Sequence, residues 1–168
     1  MNEKTPPTSH DFRVRLMEEN DLEQVKRIDK MSFEIPWPER SYDYEFYRNP
    51  LSLLIVAELE DPEQNNPIIG AIVVWLIVDE AHIATIAVHP EHRQKGVAKK
   101  LLSISLRIAK EKGMQQATLE VRANNTSAHR LYERFGFEIT GRRKHYYRDN
   151  NEDALIMTLH KIDHHHLE

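Results

Sequence analysis

The chain has 168 residues and a mass of 19.8 kDa, a size that fits one compact domain. Hydrophobic residues make up 40% and charged residues 30%, which excludes disorder for most of the chain. The net charge of −4 argues against a nucleic-acid partner, and no apolar segment approaches the ~20 residues that cross a membrane. The absence of cysteine excludes disulfides and a thiol nucleophile, and it fits a reducing cytoplasm, the location that we expect.

Both ends of the sequence are predicted to lie outside the folded domain. Residues 1–11 are polar and contain no apolar signal segment, so we expect a flexible N-terminal arm. The domain itself is predicted over residues 12–160. Residues 161–168 carry three consecutive histidines and a terminal Leu-Glu pair, a pattern typical of a tail that is partly cloning-derived. We predict no metal site.

The first half of the chain is predicted to form one strand, two helices and three more strands. The first helix follows Asn20, which is expected to cap it together with Glu23 three residues later. The Ile-Pro-Trp-Pro segment at 35–38 ends this helix. The other elements are expected at 12–16 (strand), 39–48 (helix), and 51–58, 67–78 and 81–88 (strands).

The second half is predicted to contain two helices and three strands. A long amphipathic helix begins at Gly96 and ends at Gly113, and a shorter helix begins at an Asn124-Asn125 cap and ends at Gly136. Strands are expected at 116–121, 138–147 and 152–159. This order of elements predicts an α/β fold in which helices cover both faces of a mixed sheet.

A charged loop joins the strand that ends at Val88 to the helix that begins at Gly96. The first turn of a helix offers unpaired N–H groups and the positive end of the helix dipole, which together suit a pyrophosphate. Glycine lets a ligand approach the backbone closely, and Lys95 and Lys99 add positive charge. An ordinary turn with a basic surface explains the same composition equally well, and the loop is not a P-loop.

Two polar side chains occur in strands that are otherwise apolar, and one tyrosine lies on an apolar helix face. Glu120 is either an exposed strand residue or a partly desolvated carboxylate whose raised pKa suits a general base. His82 is either a core histidine or an active-site group. Tyr132, beside Leu131 and Phe135, is either a core aromatic or a proton donor. The residue types alone leave these alternatives open.

Three motifs, taken in order, resemble the GCN5-related N-acetyltransferase (GNAT) superfamily. They are Arg93-x-x-Gly96-x-Ala98 after a strand, Glu120-Val-Arg-x-x-Asn125, and Leu-Tyr132-x-x-x-Gly-Phe. Within the superfamily, the chain is similar to protein N-terminal acetyltransferases. These include the bacterial ribosomal-protein alanine acetyltransferases of the RimI type and the archaeal relative of the eukaryotic NatA catalytic subunit. The segment Tyr146-Tyr147-x-x-x-x-Glu-Asp-Ala-x-x-Met is similar in both branches.

The resemblance implies a mixed, mostly antiparallel and splayed GNAT sheet. It also implies that acetyl-CoA, the cosubstrate, binds between the strands that end at Val88 and Val121. Backbone groups would contact the pantetheine, the thioester and the pyrophosphate, and the N–H of Val88 would face the developing oxyanion. The cofactor-binding residues implied by the resemblance are Ile86, Ala87, Val88, Gln94, Lys95, Gly96, Val97, Ala98, Lys99 and Asn125.

The resemblance also implies roles for residues around the reacting atoms. Glu120 matches the general base, His82 matches a histidine that assists the base, and Tyr132 matches the residue that protonates the departing thiolate. The implied substrate-binding residues are Trp37, Tyr146 and Tyr147. These aromatic residues favour a peptide as the acceptor.

The function that the resemblance implies is transfer of an acetyl group from acetyl-CoA to the N-terminal α-amino group of a protein or peptide, by direct attack in a ternary complex. Ribosomal proteins or nascent chains are the expected partners, without membrane or direct nucleic-acid contact, and an auxiliary subunit stays an open alternative. A small-molecule amine acetyltransferase and a non-catalytic acyl-CoA-binding module also remain alternatives. A nucleic-acid binder that uses Arg142, Arg143 and Lys144 is disfavoured by the net charge.

Overall fold

The computed structural model describes residues 11–163, and the remainder of the predicted arm and tail lies outside the described residues. The strands are β1 (Phe12–Leu16), β2 (Ser52–Leu59), β3 (Ile68–Ile77), β4 (Glu80–Val88), β5 (Gln116–Arg122), β6 (Glu138–Arg143) and β7 (Ala154–Leu159). The helices are α1 (Leu22–Ser32), α2 (Glu39–Tyr47), α3 (Val97–Glu111) and α4 (Thr126–Arg134). Strands and helices follow one another in the predicted order.

The seven strands form one sheet in the order β1-β2-β3-β4-β5-β7-β6. Every neighbouring pair is antiparallel except β4 and β5, which run parallel. The predicted mixed, mostly antiparallel sheet is therefore confirmed. Among the described residues, no helix combines the length and the apolar character needed to span a membrane.

Helices cover both faces of the sheet, because side chains alternate between the faces along each strand. On one face, Leu101 of α3 and Tyr132 of α4 share a buried cluster with Leu119 of β5. On the other face, Val25 of α1 packs in a second cluster that also contains Tyr42 of α2. The core thus consists of two apolar layers separated by the sheet.

The sheet opens between its two central strands. β4 and β5 pair only over their first four residues, Glu80–Ile83 against Gln116–Leu119. The register between β3 and β4 then shifts at a bulge that contains Ala84, and β4 bends away from β5. Both strands continue, to Val88 and to Arg122, without pairing further with each other. The predicted splay is therefore present, and it leaves unpaired backbone groups along a gap.

The predicted helix cap at Asn20 is wrong. Helix α1 begins at Leu22, after a 3₁₀ turn, and Asp21 lies at its N-cap position. Arg15 of β1 donates two hydrogen bonds to the Asp21 carboxylate, at 2.7 and 3.0 Å, and Asp21 is buried. This ion pair between a strand and the helix start determines where the helix begins, and the local pattern of Asn20 and Glu23 does not reveal it.

The last two strands are shorter than predicted. Strand β6 ends at Arg143 and β7 begins at Ala154, so residues 144–153 form a loop. His145 and Asn151 have positive φ angles of 54° and 56°, a left-handed conformation that interrupts an extended strand. The predicted strand at 138–147 is therefore too long, and the tyrosines at 146 and 147 belong to the loop.

Ordered packing continues past the domain boundary predicted at residue 160. Ile162 is 3% exposed, and its N–H donates to the carbonyl of Gln115 at 2.8 Å. The segment after β7 therefore covers the beginning of β5, and it contributes one more apolar side chain to the core.

Candidate active site

An open cleft of about 540 Å³ lies where β4 and β5 separate, a volume typical of a small-ligand site. It opens on the face of the sheet that carries α1 and α2, because its tryptophans pack against the cluster of that face. The lining side chains are Trp37, Trp75, Ile77, Glu80, His82, Ala84, Glu120, Tyr146 and Tyr147. The structure thus brings together five predicted site residues from four separate segments of the chain.

Glu120 and His82 form the polar centre of the cleft. In β5, Leu119 and Val121 point into the core, so the alternation of the strand directs Glu120 to the opposite face. His82 Nε2 lies 3.2 Å from Glu120 Oε2. Each side chain keeps about a fifth of its surface exposed, 21% for His82 and 19% for Glu120, so a substrate can reach both.

The pKa of the Glu120 carboxyl lies below its ordinary value, and the hydrogen bond from His82 is the main cause. Arg143 Nη2, which lies 3.6 Å from Glu120 Oε1, lowers it further, while burial acts in the opposite direction. The expectation that burial raises this pKa is therefore wrong, because the neighbouring groups outweigh desolvation. Glu120 is an anion at neutral pH and is better suited to orient His82 or attract a cation than to bind a proton tightly.

Three aromatic rings form a column along one wall of the cleft. The ring of Trp75 stacks on His82, with 5.4 Å between centroids and an angle of 14° between planes. Trp37 stacks on the other side of Trp75 at 6.3 Å and 22°. His82 is therefore held between an aromatic face and the Glu120 carboxylate.

Two buried carboxylates hold the tryptophans of this column in place. Asp29, at the end of α1, accepts hydrogen bonds from the backbone N–H of Trp37 at 2.8 Å and from the hydroxyl of Tyr42 at 2.6 Å. Burial raises the pKa of Asp29, which is 1% exposed. Glu45 of α2 accepts a hydrogen bond from Trp75 Nε1 at 3.1 Å. The wall is thus anchored to both helices of this face.

Tyr146 and Tyr147 form the opposite side of the cleft and contact each other edge to face, with 5.1 Å between ring centroids. The Arg122 guanidinium lies 3.9 Å from the centre of the Tyr147 ring, a favourable cation–π contact. Asp149 and Glu152 in turn bind Arg122. Burial raises the pKa of Tyr147 to about 12, so its hydroxyl stays protonated at neutral pH.

The loop before α3 has the geometry of an anion site. Gly96 is the N-cap of α3, with a φ of 81° that favours glycine, and a side chain added there would meet no atom within 4 Å. Gln94 also has a positive φ, of 61°. The first turn of α3 contains no acidic residue, whereas Lys95 and Lys99 are exposed beside it. These features fit a diphosphate group bound by backbone N–H groups.

The far end of β4 presents backbone groups to the gap. The N–H of His89 donates to the carbonyl of Ile69 across the β3–β4 ladder at 2.8 Å. Successive residues of a strand direct their backbone groups to opposite edges, so the N–H of Val88 faces the side where β5 has separated. Residues 86–88 therefore line one side of the gap. The resemblance predicts cofactor contacts at these same residues.

Asn125 lies at the other side of the gap, just after β5. Its side-chain oxygen accepts hydrogen bonds from the N–H of Ala128 at 3.2 Å and from the hydroxyl of Ser127 at 3.1 Å. It is thus the N-cap of α4. Its contact with the cofactor stays a prediction.

One group of side chains in the same loop region has metal-ligand spacing. His89, Glu91 and His92 bring one donor atom each to within 4.8 Å of the others. His89 Nδ1 already accepts a hydrogen bond from the N–H of Glu91 at 3.2 Å, which caps the short turn at 90–92. The group lies outside the cleft, and its imidazole has this structural role in the turn.

Comparison with known proteins shows to which family this arrangement belongs. Residues 22–137 match the family described as the acetyltransferase (GNAT) family, a span of more than half the chain. The chain belongs to the GNAT acetyltransferases. The enzyme class predicted from the sequence is thereby confirmed: the chain is an N-acetyltransferase that uses acetyl-CoA as its cosubstrate.

Relatives of this acetyltransferase occur in bacteria and archaea. A Bacillus subtilis protein, provisionally named a ribosomal protein bS18-alanine N-acetyltransferase, is 37% identical over 144 residues, which cover 86% of this chain and 92% of that protein. The crystal structure of the Escherichia coli ribosomal-protein-S18-alanine N-acetyltransferase has a TM-score of 0.81 at 28% identity, covering 92% and 96% of the two chains. Ard1 from Thermoplasma volcanium has a TM-score of 0.78 at 27% identity, covering 90% and 99%.

Tyr132 is the one predicted catalytic residue of this GNAT enzyme that does not line the cleft. It lies on α4, on the other face of the sheet, is 5% exposed and packs against Phe137 at 5.8 Å between ring centroids. Burial raises the pKa of its hydroxyl, which therefore stays protonated at neutral pH. Its environment is that of a core aromatic, and a protonated hydroxyl is also what a proton donor requires.

Four lining residues of the acetyltransferase cleft were not predicted from the sequence, and two of them, Trp75 and Glu80, carry polar or aromatic groups. Both follow from the β3–β4 hairpin, whose two-residue turn places Ile77 opposite Glu80 and Trp75 opposite His82. In an antiparallel hairpin, residues at equal distances from the turn lie opposite each other, so the turn could have indicated that Trp75 lies beside His82. Glu80 is also bound by Gln116 Nε2 at 3.3 Å, a contact between parallel strands that no local pattern indicates.

Proposed function

We propose that this acetyltransferase modifies the α-amino group at the N-terminus of proteins, with ribosomal proteins and nascent chains in the cytoplasm as its substrate class. The observation that carries the proposal is the cleft, in which the Glu120–His82 pair lies between walls formed by Trp37 and by Tyr146 and Tyr147. A polar centre between aromatic walls suits a chain end, whose amine needs a base and whose first residues need apolar contact. Two relatives are named as N-acetyltransferases of an alanine in ribosomal protein bS18 or S18, and these names support the same class of substrate.

The acceptor amine must lose a proton before its lone pair can attack the thioester. A free α-amine titrates near 7.7–8.0 and a lysine amine near 10.4, a difference of ~2.5 units or about 3.4 kcal/mol. A modest base is therefore sufficient for an α-amine at neutral pH. We assign Glu120, as an anion, to attraction of the ammonium group, and His82 to uptake of its proton directly or through water.

The transfer is a direct displacement in a ternary complex. The amine nitrogen forms a bond to the acetyl carbonyl carbon, the C–S bond breaks, and the electron pair leaves with the CoA sulfur. We assign the N–H of Val88 to the developing oxyanion, because it faces the gap. We assign Tyr132 to the proton that the thiolate takes up. Because the chain has no cysteine, no thiol acyl-enzyme precedes these steps.

A panel of peptides that differ only in residues one and two tests the proposal. The peptides are incubated with acetyl-CoA at neutral pH, and mass spectrometry locates the acetyl group. We expect acetylation at the α-amine, faster than that of polyamines or aminoglycosides at the same concentration. Preferred acetylation of a polyamine or an aminoglycoside would identify a small-molecule acetyltransferase instead, and acetyl-CoA binding without turnover of any amine would contradict the proposal.

A further inference from the structure

Arg93 lies in the loop between β4 and α3, three residues before Gly96, yet its side chain reaches back to the sheet. Its Nε donates to the carbonyl of Val88 at 3.1 Å, and its Nη2 donates to the hydroxyl of Ser32 at 3.3 Å. One guanidinium therefore joins three parts of the molecule: the loop that fits a diphosphate, the end of β4, and the last residue of α1. Its planar fork of donors suits two acceptors at once.

Ser32 completes this contact from the side of the helix. Its hydroxyl donates to the carbonyl of Ile28 at 2.7 Å, which leaves its oxygen free to accept from Arg93. The same oxygen lies 3.5 Å from the carbonyl of Val88. The end of α1 is thus in direct contact with the end of β4, at the edge of the gap.

The end of α1 also holds the aromatic wall of the cleft. Asp29 lies one turn before Ser32 and accepts the backbone N–H of Trp37 at 2.8 Å. Trp37 stacks on Trp75, and Trp75 stacks on His82. Because Asp29 is 1% exposed and the wall is closely packed, a shift at the end of α1 moves Trp37 with it.

We propose that Arg93 and Ser32 form a latch that couples the cofactor loop to the aromatic wall of the peptide site. Binding of CoA at the loop fixes Arg93, which through Ser32 sets the position of α1 and Trp37. This inference rests on the proposed function, and it makes Arg93 and Ser32 positioning residues that act through Trp37. Because coupling between two sites is reciprocal, a bound peptide also strengthens the binding of CoA.

Tryptophan fluorescence tests the latch without any peptide, because Trp37 and Trp75 are the chain's two tryptophans and both belong to the wall. CoA is titrated into the full-length protein, and calorimetry on the same samples measures its binding. We expect CoA to change the emission of the wild type. In Ser32→Ala and in Arg93→Lys, CoA still binds, but the change in emission is largely lost.

Two control variants separate the latch from general damage. Ser32→Thr keeps the hydroxyl and should keep the response, and Ser41→Ala makes the matched change on α2 and should also keep it. In turnover assays at saturating acetyl-CoA, Ser32→Ala should raise the KM for peptide about fivefold or more, while the dissociation constant of CoA measured without peptide changes little. Arg93 is exposed, so Arg93→Lys is expected to fold even if a change at Ser32 impairs the helix.

The outcomes distinguish the latch from the proposed function. If CoA binds all variants and changes the emission of Ser32→Ala as much as that of the wild type, the latch is overturned and the proposed function stands. If Ser32→Ala loses CoA binding and emission change together, the coupling claim is equally overturned, because Ser32 then supports only the cofactor loop. If the wild type does not bind CoA, both the cofactor assignment and the latch are contradicted.

Discussion

The Glu120 carboxylate accepts a hydrogen bond from His82 and lies close to Arg143. Both groups lower its pKa, so Glu120 contributes a negative charge to the cleft rather than a strong base. Glu120→Gln keeps the size of the side chain and removes that charge. We expect kcat to fall about 10²-fold, with acetyl-CoA binding unchanged in calorimetry. His82→Ala should cost less, because water can replace the imidazole as proton acceptor. Full activity in Glu120→Gln would show that the charge of Glu120 has no role in turnover.

The two substitutions should not act independently, because the side chains are 3.2 Å apart and serve one proton. We expect the double variant of Glu120 and His82 to lose less kcat than the product of the two single losses. Strictly multiplicative losses would indicate two separate roles and would contradict a shared path.

The same carboxylate links stability to pH. Because the pKa of Glu120 is lower in the folded chain than its ordinary value of 4.5, the charged form stabilises the fold above that value. This contribution is lost as the pH falls through the lowered pKa, where the folded state also takes up the proton. We expect Glu120→Gln to be less stable than the wild type at pH 7 and to approach it in acid. Denaturant titrations at pH 7 and in acid measure the free energy of unfolding of the two proteins. A difference between them that grows in acid would contradict a lowered pKa for Glu120.

The β3–β4 hairpin contains a residue with clear backbone strain. Val78, in the two-residue turn, has a φ of 57° and is 92% exposed. A β-branched residue is disfavoured in that conformation, which glycine adopts readily. We expect Val78→Gly to raise the free energy of unfolding by about 1 kcal/mol, since relief of strain exceeds the entropy that glycine adds. Val78→Ala, which keeps a Cβ, should gain less, and a loss of stability in Val78→Gly would show that the turn is unstrained.

The segment between α1 and α2 supplies one wall of the cleft through Trp37. Trp37→Ala removes the outer ring of the column while Asp29 can still accept the backbone N–H at that position. We therefore expect the KM for peptide to rise and the binding of CoA without peptide to remain unchanged. If the melting temperature and the affinities for both ligands fall together, Trp37 anchors the loop rather than binding the peptide.

Local patterns were sufficient to predict the order of the elements, whereas the meeting of Glu120 with His82 was implied by the resemblance to the acetyltransferase family. Strand alternation fixes the face of each side chain, and helix ends at Gly113 and Gly136 have the positive φ that the sequence indicates, 91° and 84°. The start of α1 was missed because the carboxylate of Asp21, one residue after the predicted cap, is held by Arg15 of β1 and by the N–H of Glu18.

The lowered pKa of Glu120 and the shortened β6 were also beyond local patterns. The first depends on His82 and Arg143, which approach from two other strands. The second depends on the left-handed turn at His145, which is not glycine and gives no sign in the sequence. Contacts between segments far apart in the chain decide the first outcome and a local backbone conformation decides the second, and residue type alone encodes neither.

The gap between β4 and β5 connects the two faces of the sheet. The loop that fits a diphosphate lies at the start of α3, and the cleft with Glu120 lies on the face of α1 and α2. A cofactor that enters the gap from the loop can therefore present its acetyl group to an amine in the cleft. This arrangement supports the proposed direct transfer, in which one small domain holds both substrates together.

Two matched peptides test whether the acceptor of this enzyme is an α-amine. Both have the sequence preferred in the peptide panel with one added lysine; the first has a free N-terminus and a blocked lysine, and the second has a blocked N-terminus and a free lysine. The measurement is kcat/KM for each at neutral pH with saturating acetyl-CoA. We predict that the first peptide exceeds the second by about 10²-fold, following the difference in the pKa values of the two amines. Equal values, or faster acetylation of the free lysine, would contradict the claim.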